Sequence, residues 1–128
     1  MLDHIGLRVA DVAASRAFYD KALAPLGIAV VFEVSAAETG GQAYVGYGSE
    51  GRPYFWLGAG ERPTAGLHVA FTAGSRAKVD AFHAAAIAAG GADNGAPGIR
   101  AHYHPNYYGA FVLDADGHNI EAVCHLPA

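Results

Sequence analysis

Hydrophobic and polar residues alternate at the start of the chain, where Ile5, Leu7 and Val9 share one side of residues 2–9. A period of two is typical of a strand with one buried face. Asp11 then precedes an alanine-rich stretch that runs to Gly27, which predicts a helix capped at both ends. Three apolar runs separated by glycine-rich turns follow and predict strands over 28–34, 42–48 and 53–58. The first half therefore predicts the order βαβββ.

The same order begins again after residues 59–65, which we interpret as a linker. Residues 66–73 predict a strand, and 75–91 predict a helix with Ser75 as its N-cap. Three further strands are predicted near 98–104, over 107–114 and over 118–125. At a constant shift of 64 residues, chemically similar residues coincide in four pairs: His4 and His68, Phe18 and Phe82, Leu23 and Ile87, and Gly27 and Gly91.

We interpret this repetition as two tandem βαβββ modules, about 1–58 and about 66–128, within a single α+β domain spanning 1–128. A helix would cover one face of each four-stranded sheet and leave the other face concave, so that the sheets form a cup. By alternation, His4 and His68 belong to the less apolar side of their strands. The two histidines are therefore expected to line this cup.

Composition narrows the possible partners. The chain has 8 Lys and Arg residues, which are scattered, and a net charge of −4, so it lacks the basic patch typical of nucleic-acid binding. No apolar run approaches the roughly 18 residues that a membrane helix needs. The single cysteine, Cys124, has no internal disulfide partner, which favours a reducing compartment. We expect a cytoplasmic protein.

Three segments resemble the vicinal oxygen chelate superfamily, which includes glyoxalases, extradiol dioxygenases, fosfomycin-resistance enzymes and bleomycin-binding proteins. They read DHIGLRVADVAASRAFYDKALAPLG at the start, GLHVAF in the middle and FVLDADGHNIEAV near the end. The resemblance implies a divalent metal (Fe, Mn, Zn or Ni) held by His4, His68 and Glu121. It also implies a homodimer in which His4 of one subunit joins His68 and Glu121 of the other.

The fourth predicted strand departs from glyoxalase I, whose fourth ligand is a glutamate on that strand. Aligned by the 64-residue shift this position is Leu57, and aligned on the preceding glycine turn it is Phe55. Neither is a carboxylate, which argues against the glyoxalase I reaction. The resemblance favours a metal-dependent lyase, isomerase, dioxygenase or resistance-type transferase acting on a substrate with vicinal oxygens.

The segment 102–108, HYHPNYY, predicts a turn that carries substrate contacts. Imidazole exchanges protons near neutral pH and a phenol donates a hydrogen bond to a developing oxyanion. We predict His104, Tyr103 and Tyr107 as catalytic residues, and the following as substrate-binding residues: Arg8, Trp56, His102 and Tyr108. The alternative function is a metal-free protein that sequesters a planar small molecule, as bleomycin-resistance proteins do.

Overall fold

The computed structural model describes residues 2–61 and 65–128, and within these ranges the predicted order is confirmed. The first half contains β1 (Ile5–Val9), α1 (Val12–Leu23), a 3-10 turn (Ala24–Leu26), β2 (Ala29–Val34), α2 (Ala36–Thr39), β3 (Tyr44–Ser49) and β4 (Arg52–Ala59). The second half contains β5 (His68–Thr72), α3 (Arg76–Ala88), β6 (Ala92–Ile99), β7 (Tyr108–Leu113) and β8 (Asn119–Cys124). No helix in these ranges is long and apolar enough to cross a membrane.

Helices α1 and α3 begin where the sequence places their caps. The Asp11 side chain accepts a hydrogen bond from the backbone N–H of Ala14, and Ser75 accepts one from Lys78. These bonds satisfy amide groups that the first helical turn leaves unpaired. Gly27 ends the following 3-10 turn with φ of 76°, a left-handed conformation that glycine adopts without a steric cost.

Each module forms one mixed four-stranded sheet. Sheet A has the strand order β1-β4-β3-β2, and sheet B has the order β5-β8-β7-β6. In both sheets the first strand pairs in parallel with the last strand of its module, while the other pairs are antiparallel. The equivalent topologies confirm the tandem βαβββ arrangement.

One hydrophobic core joins the two modules. Helices α1 and α3 pack against each other and against one face of their sheets. Tyr19 on α1 contacts Phe55 of β4 at 5.2 Å between ring centroids, and Phe55 contacts Phe71 of β5 at 5.1 Å. The opposite faces of the two sheets, hereafter the open faces, carry the alternate residues of each strand.

The turn between β7 and β8 fastens the modules together. His118 is buried, its Nδ1 accepts the Leu67 N–H at 3.0 Å, and its Nε2 lies 3.2 Å from the Arg8 carbonyl oxygen. Asp116 accepts the N–H of Ala10, and Asp114 accepts the Tyr19 hydroxyl. The turn therefore bonds to β1 and α1 of the other module, a role that its sequence did not indicate.

Two local predictions need correction. The strand expected near 98–104 is β6 at Ala92–Ile99, and residues after it form the turn that leads to β7. The sequence ADNGAPGI has low strand propensity, so its pairing with β7, interrupted by two register shifts, comes from the sheet. Helix α2 was not predicted, although Ser35 and Glu38 form a capping box that marks its start. Within the predicted linker, residues 62–64 lie outside the described residues.

Candidate functional site

Glu121 lies on β8 with its side chain directed to the open face of sheet B. Its neighbours Ile120 and Ala122 belong to the core on the helix side, so alternation turns Glu121 the other way. Only 1% of the Glu121 side chain is exposed, because surrounding side chains cover it. A carboxyl group this deeply buried requires polar partners.

His68 supplies the first of those partners. Its Nε2 lies 2.8 Å from Oε1 of Glu121, and 55% of the His68 side chain is exposed. The parallel pairing of β5 with β8 sets this contact, because Ala70 is in register with Glu121 and His68 lies two residues earlier on the same face. The fold therefore brings together two residues that lie 53 positions apart in the sequence.

Tyr107 supplies the second partner by donating its hydroxyl hydrogen bond to Oε2 of Glu121. Burial, and then the hydrogen bond to Glu121, raise the pKa of Tyr107 to about 12. The phenol therefore stays protonated and remains a donor at neutral pH. Gly109 makes room for this pair, since a Cβ there would lie 3.2 Å from the Tyr107 ring and 3.3 Å from Oε2 of Glu121.

The predicted substrate turn forms a cluster of rings beside Tyr107. Tyr103 contacts Tyr107 at 4.8 Å between centroids, and His102 contacts Tyr103 at 4.2 Å. His104 packs edge-on against Tyr107 at 5.6 Å. His102 and Tyr103 are exposed, whereas His104 and Tyr107 are half-buried. The structure thus joins these four predicted residues in one cluster, which reaches Glu121 through Tyr107.

Hydrogen bonds assign the proton on His104. The backbone N–H of Asn106 donates to Nδ1 of His104, so Nε2 carries the proton of the neutral ring. That Nε2 lies 2.8 Å from Nδ1 of His125, which accepts the bond. His125 was not predicted as a site residue. Its position four residues after Glu121, on the same side of the strand, is the signal that could have indicated it.

His4 does not join His68 and Glu121. It lies directly before β1 and is 59% exposed, and its Nδ1 is 2.7 Å from the Asp3 carboxylate. Among residues 2–61 and 65–128, no three His, Cys, Asp or Glu side chains converge closely enough to hold a metal ion. His4 and His68 both line a cavity of about 620 Å³ between the modules, at the junction where Phe55 meets Phe71.

The other predicted substrate contacts lie in separate places. Arg8 and Trp56 are on the open face of sheet A. Tyr108 lies on the helix side of sheet B, where its hydroxyl donates to Asp80 of α3 and the Arg76 guanidinium lies 5.2 Å above its ring. Alternation along β7 thus turns Tyr108, one of the predicted substrate contacts, away from Glu121 and toward α3.

Strand register identifies the module 1 counterpart of Glu121. Ala70 pairs with Glu121, and the equivalent residue of β1, Gly6, pairs with Trp56. The counterpart is therefore Trp56, and neither Leu57 nor Phe55, which both point into the core. A single sequence offset fails here because the turns of the two modules differ in length. The corrected position is again not a carboxylate.

The contact between His68 and Glu121 fits part of a divalent metal site. Two ligands bound at about 2.1 Å in neighbouring coordination positions lie about 3 Å apart, close to the observed 2.8 Å. Imidazole nitrogen and carboxylate oxygen suit Fe, Mn, Zn and Ni. Tyr107 holds the second carboxylate oxygen, as outer partners of metal-binding carboxylates do. One chain thus offers two converging donors.

Comparisons with known proteins agree with this fold. The family profile of the Glyoxalase/Bleomycin resistance protein/Dioxygenase superfamily matches residues 1–122. A glyoxalase/bleomycin resistance protein from Albidiferax ferrireducens T118 is 31% identical, with 99% of each chain covered and a TM-score of 0.74.

Two more distant solved structures share the fold. The fosfomycin resistance protein FosX from Listeria monocytogenes, solved with Mn(II) and sulfate, is 18% identical with a TM-score of 0.70, covering 97% of this chain and 91% of its own. A glyoxalase I mutant from Zea mays is 22% identical with a TM-score of 0.71, covering 95% of this chain and 46% of its own. No curated protein matches the chain. From its sequence match and its fold, the chain belongs to the glyoxalase/bleomycin resistance protein/dioxygenase superfamily.

Proposed function

We propose that this protein is a small metal-dependent enzyme that acts on a substrate with vicinal oxygens. The observation that carries the proposal is the 2.8 Å contact between the exposed His68 imidazole and the buried Glu121 carboxylate. A buried carboxyl group costs several kcal/mol, in order-of-magnitude terms, unless it is paired, and a metal ion would offset that cost. The solved FosX structure with Mn(II) supports a divalent ion in this fold.

The third ligand in this proposal is His4 of a second copy of the chain. Within one chain His4 is exposed and does not reach Glu121, and the His68 side chain on the open face of sheet B is also 55% exposed. Phe32, on the open face of sheet A, is 53% exposed and packs against the Trp56 ring, so the two rings offer an apolar surface to a partner. A homodimer that joins sheet A of one copy to sheet B of the other would cover these residues and complete two equivalent sites.

The chain's own residues would prepare the site as follows. Tyr107 fixes Oε2 of Glu121 and leaves Oε1 facing His68. His104 holds a proton on Nε2 and passes its hydrogen bond to His125, so this pair provides a place to accept or release a proton beside the site. A bound divalent ion would act as a Lewis acid on the two substrate oxygens. The absence of a carboxylate at Trp56 disfavours the glyoxalase I reaction.

Mixing two inactive variants tests the shared site. His4→Ala and His68→Ala should each lose tight Mn(II) binding, whereas a refolded equal mixture should regain about a quarter of the sites, because half of the dimers are mixed and each has one intact ligand set. Metal per chain measured by elemental analysis reports the recovery. A mixture that binds no more metal than the separate variants would rule out sites shared between subunits.

Removing only the Tyr107 hydroxyl tests how Glu121 is held. Tyr107→Phe keeps the ring but loses the bond to Oε2, so we expect about 10- to 100-fold weaker metal binding, the usual effect of losing an outer partner of a ligand. Calorimetric titration with Mn(II) measures it. Tyr103→Phe is the control, because Tyr103 contacts the Tyr107 ring but not Glu121. Equal affinities in the two variants would contradict the assigned role.

A further inference from the structure

Trp56 is the single tryptophan of the chain. It lies on the open face of sheet A, in a row of residues paired across the four strands in which its two neighbours have no side chain. Its register partners on both sides are glycines, Gly6 on β1 and Gly46 on β3, and Phe32 follows on β2. Thus the strands flanking Trp56 carry no side chain beside it. Glycine within a strand often marks a place where another group approaches the backbone closely.

Gly46 makes room for the indole ring of Trp56, whereas Gly6 leaves open space beside it. The indole ring lies over Gly46, where a Cβ would stand only 2.9 Å from ring carbons Cη2 and Cζ3. Phe32 contacts the indole at 5.9 Å with a 61° angle between the rings, which supports its outer edge. On the other side, a Cβ at Gly6 would meet nothing nearer than Cβ of Trp56 at 4.0 Å. The space over Gly6 is therefore open.

The space over Gly6 lies beside Trp56, which also borders a cavity near His4. Trp56 lines a cavity of about 380 Å³ together with His4, Asp3, Arg52 and Pro53. This volume is within the range of about 300–1,000 Å³ in which proteins bind small molecules. His4 precedes Gly6 by two residues, so the open space over Gly6 lies next to the proposed metal ligand. A substrate held at the metal would extend over Gly6 along the indole.

We infer that Trp56 and Gly6 form a substrate subsite for a planar unsaturated ring, so that the substrate class is an aromatic or conjugated compound with vicinal oxygens. The inference rests on the proposed function, because it assigns the part of the substrate that does not reach the metal. An indole face attracts another flat ring more strongly than the buried area alone accounts for. A puckered saturated ring of the same size lacks this attraction. Trp56 is thus a residue that determines specificity.

The matched probes are mandelate and hexahydromandelate, which carry the same hydroxyl and carboxylate oxygens and differ only in whether the ring is flat. Calorimetric titration of the Mn(II)-loaded protein should show mandelate binding about two- to tenfold more tightly. Trp56→Leu should bind Mn(II) as the parent does and bind the two probes almost equally. Quenching of the single tryptophan by mandelate, and not by hexahydromandelate, gives a second readout that does not depend on turnover.

Two glycine variants separate ring placement from general damage to the sheet. Gly46→Ala would push the Trp56 ring away from the sheet and should lower the preference for mandelate. Gly58→Ala is its control, because there a Cβ would stand 2.8 Å from the Tyr44 ring and would leave Trp56 in place.

The outcomes distinguish the two proposals. Binding that depends on Mn(II) and His68, with equal affinity for both probes or an unchanged preference in Trp56→Leu, would overturn the subsite and leave the metal function intact. Binding that prefers mandelate through Trp56 but is the same in metal-free His68→Ala would support the subsite and overturn the metal function. A preference lost equally in Gly46→Ala and Gly58→Ala would contradict the role of the indole position.

Discussion

Replacing Glu121 with glutamine is expected to weaken Mn(II) binding by at least about 100-fold, because the amide lacks the charge of a ligand while keeping its shape. The apo protein should remain folded, since glutamine retains an oxygen that accepts the Tyr107 hydrogen bond and removes a charge from a site that is 1% exposed. Metal at 100 times its Kd stabilises a protein by about 2.7 kcal/mol, and this gain should disappear in Glu121→Gln.

Thermal unfolding with and without Mn(II), together with bound metal per chain, measures this result. Asp114→Asn is the matched control, because Asp114 is also a buried carboxylate but bonds to Tyr19 and to the backbone of the β7–β8 turn. It should lower Tm in both conditions and preserve the increase caused by metal. If Glu121→Gln keeps the full increase, the metal site is not at Glu121. If the parent protein itself shows no increase with Mn(II), the metal-free binding function becomes the better proposal.

The second large effect is expected from His118→Ala, which should lower the free energy of unfolding by about 3 to 5 kcal/mol. The substitution leaves the Leu67 N–H and the Arg8 carbonyl, which are both half-buried, without their bonds to the ring, and it removes the fully buried imidazole from the junction between the modules. Each unsatisfied buried group costs about 1–3 kcal/mol, and lost packing adds to this. The bond to Arg8 joins β1 of one module to the turn before β8 of the other, so the junction should weaken first.

Urea denaturation measures the loss, with His83→Ala as the control. His83 also pairs through its ring, at 3.0 Å from Asp93, but that aspartate is exposed and both groups belong to one module. Its removal should cost about 1 kcal/mol or less. Equal losses in the two variants would show that the buried turn does not hold the modules together.

Residue patterns predicted most of the local structure correctly because those elements depend on neighbours in the sequence. Alternation in β1, the Asp11 and Ser75 caps and the glycine stop at Gly27 all follow from local backbone chemistry. Strand β6 was misplaced because its sequence, ADNGAPGI, has little strand preference of its own, and its pairing with β7 determines its position.

Sequence reasoning named residues for the candidate site, but it did not predict which of their side chains are in contact. His68 and Glu121 were chosen from repeat position and resemblance, and the parallel pairing of β5 with β8 brings them together. Tyr107 belonged to a predicted turn, yet nothing in HYHPNYY distinguishes it from Tyr108, which faces the opposite side of the sheet. Strand β7 begins at Tyr108, so Tyr108 faces the helix side of the sheet while Tyr107, directly before the strand, reaches Glu121.

The sequence alone determined the order of strands and helices, their caps and the chemical types available for a site, because these depend on periodicity and on short-range bonds. Only the tertiary structure decided the register that makes Trp56, and neither Leu57 nor Phe55, the counterpart of Glu121. It also decided that His118 fastens the two modules and that His4 stands apart from His68 and Glu121. These relations join residues that are distant in the chain, and they arise from sheet pairing and core packing, which no local pattern encodes.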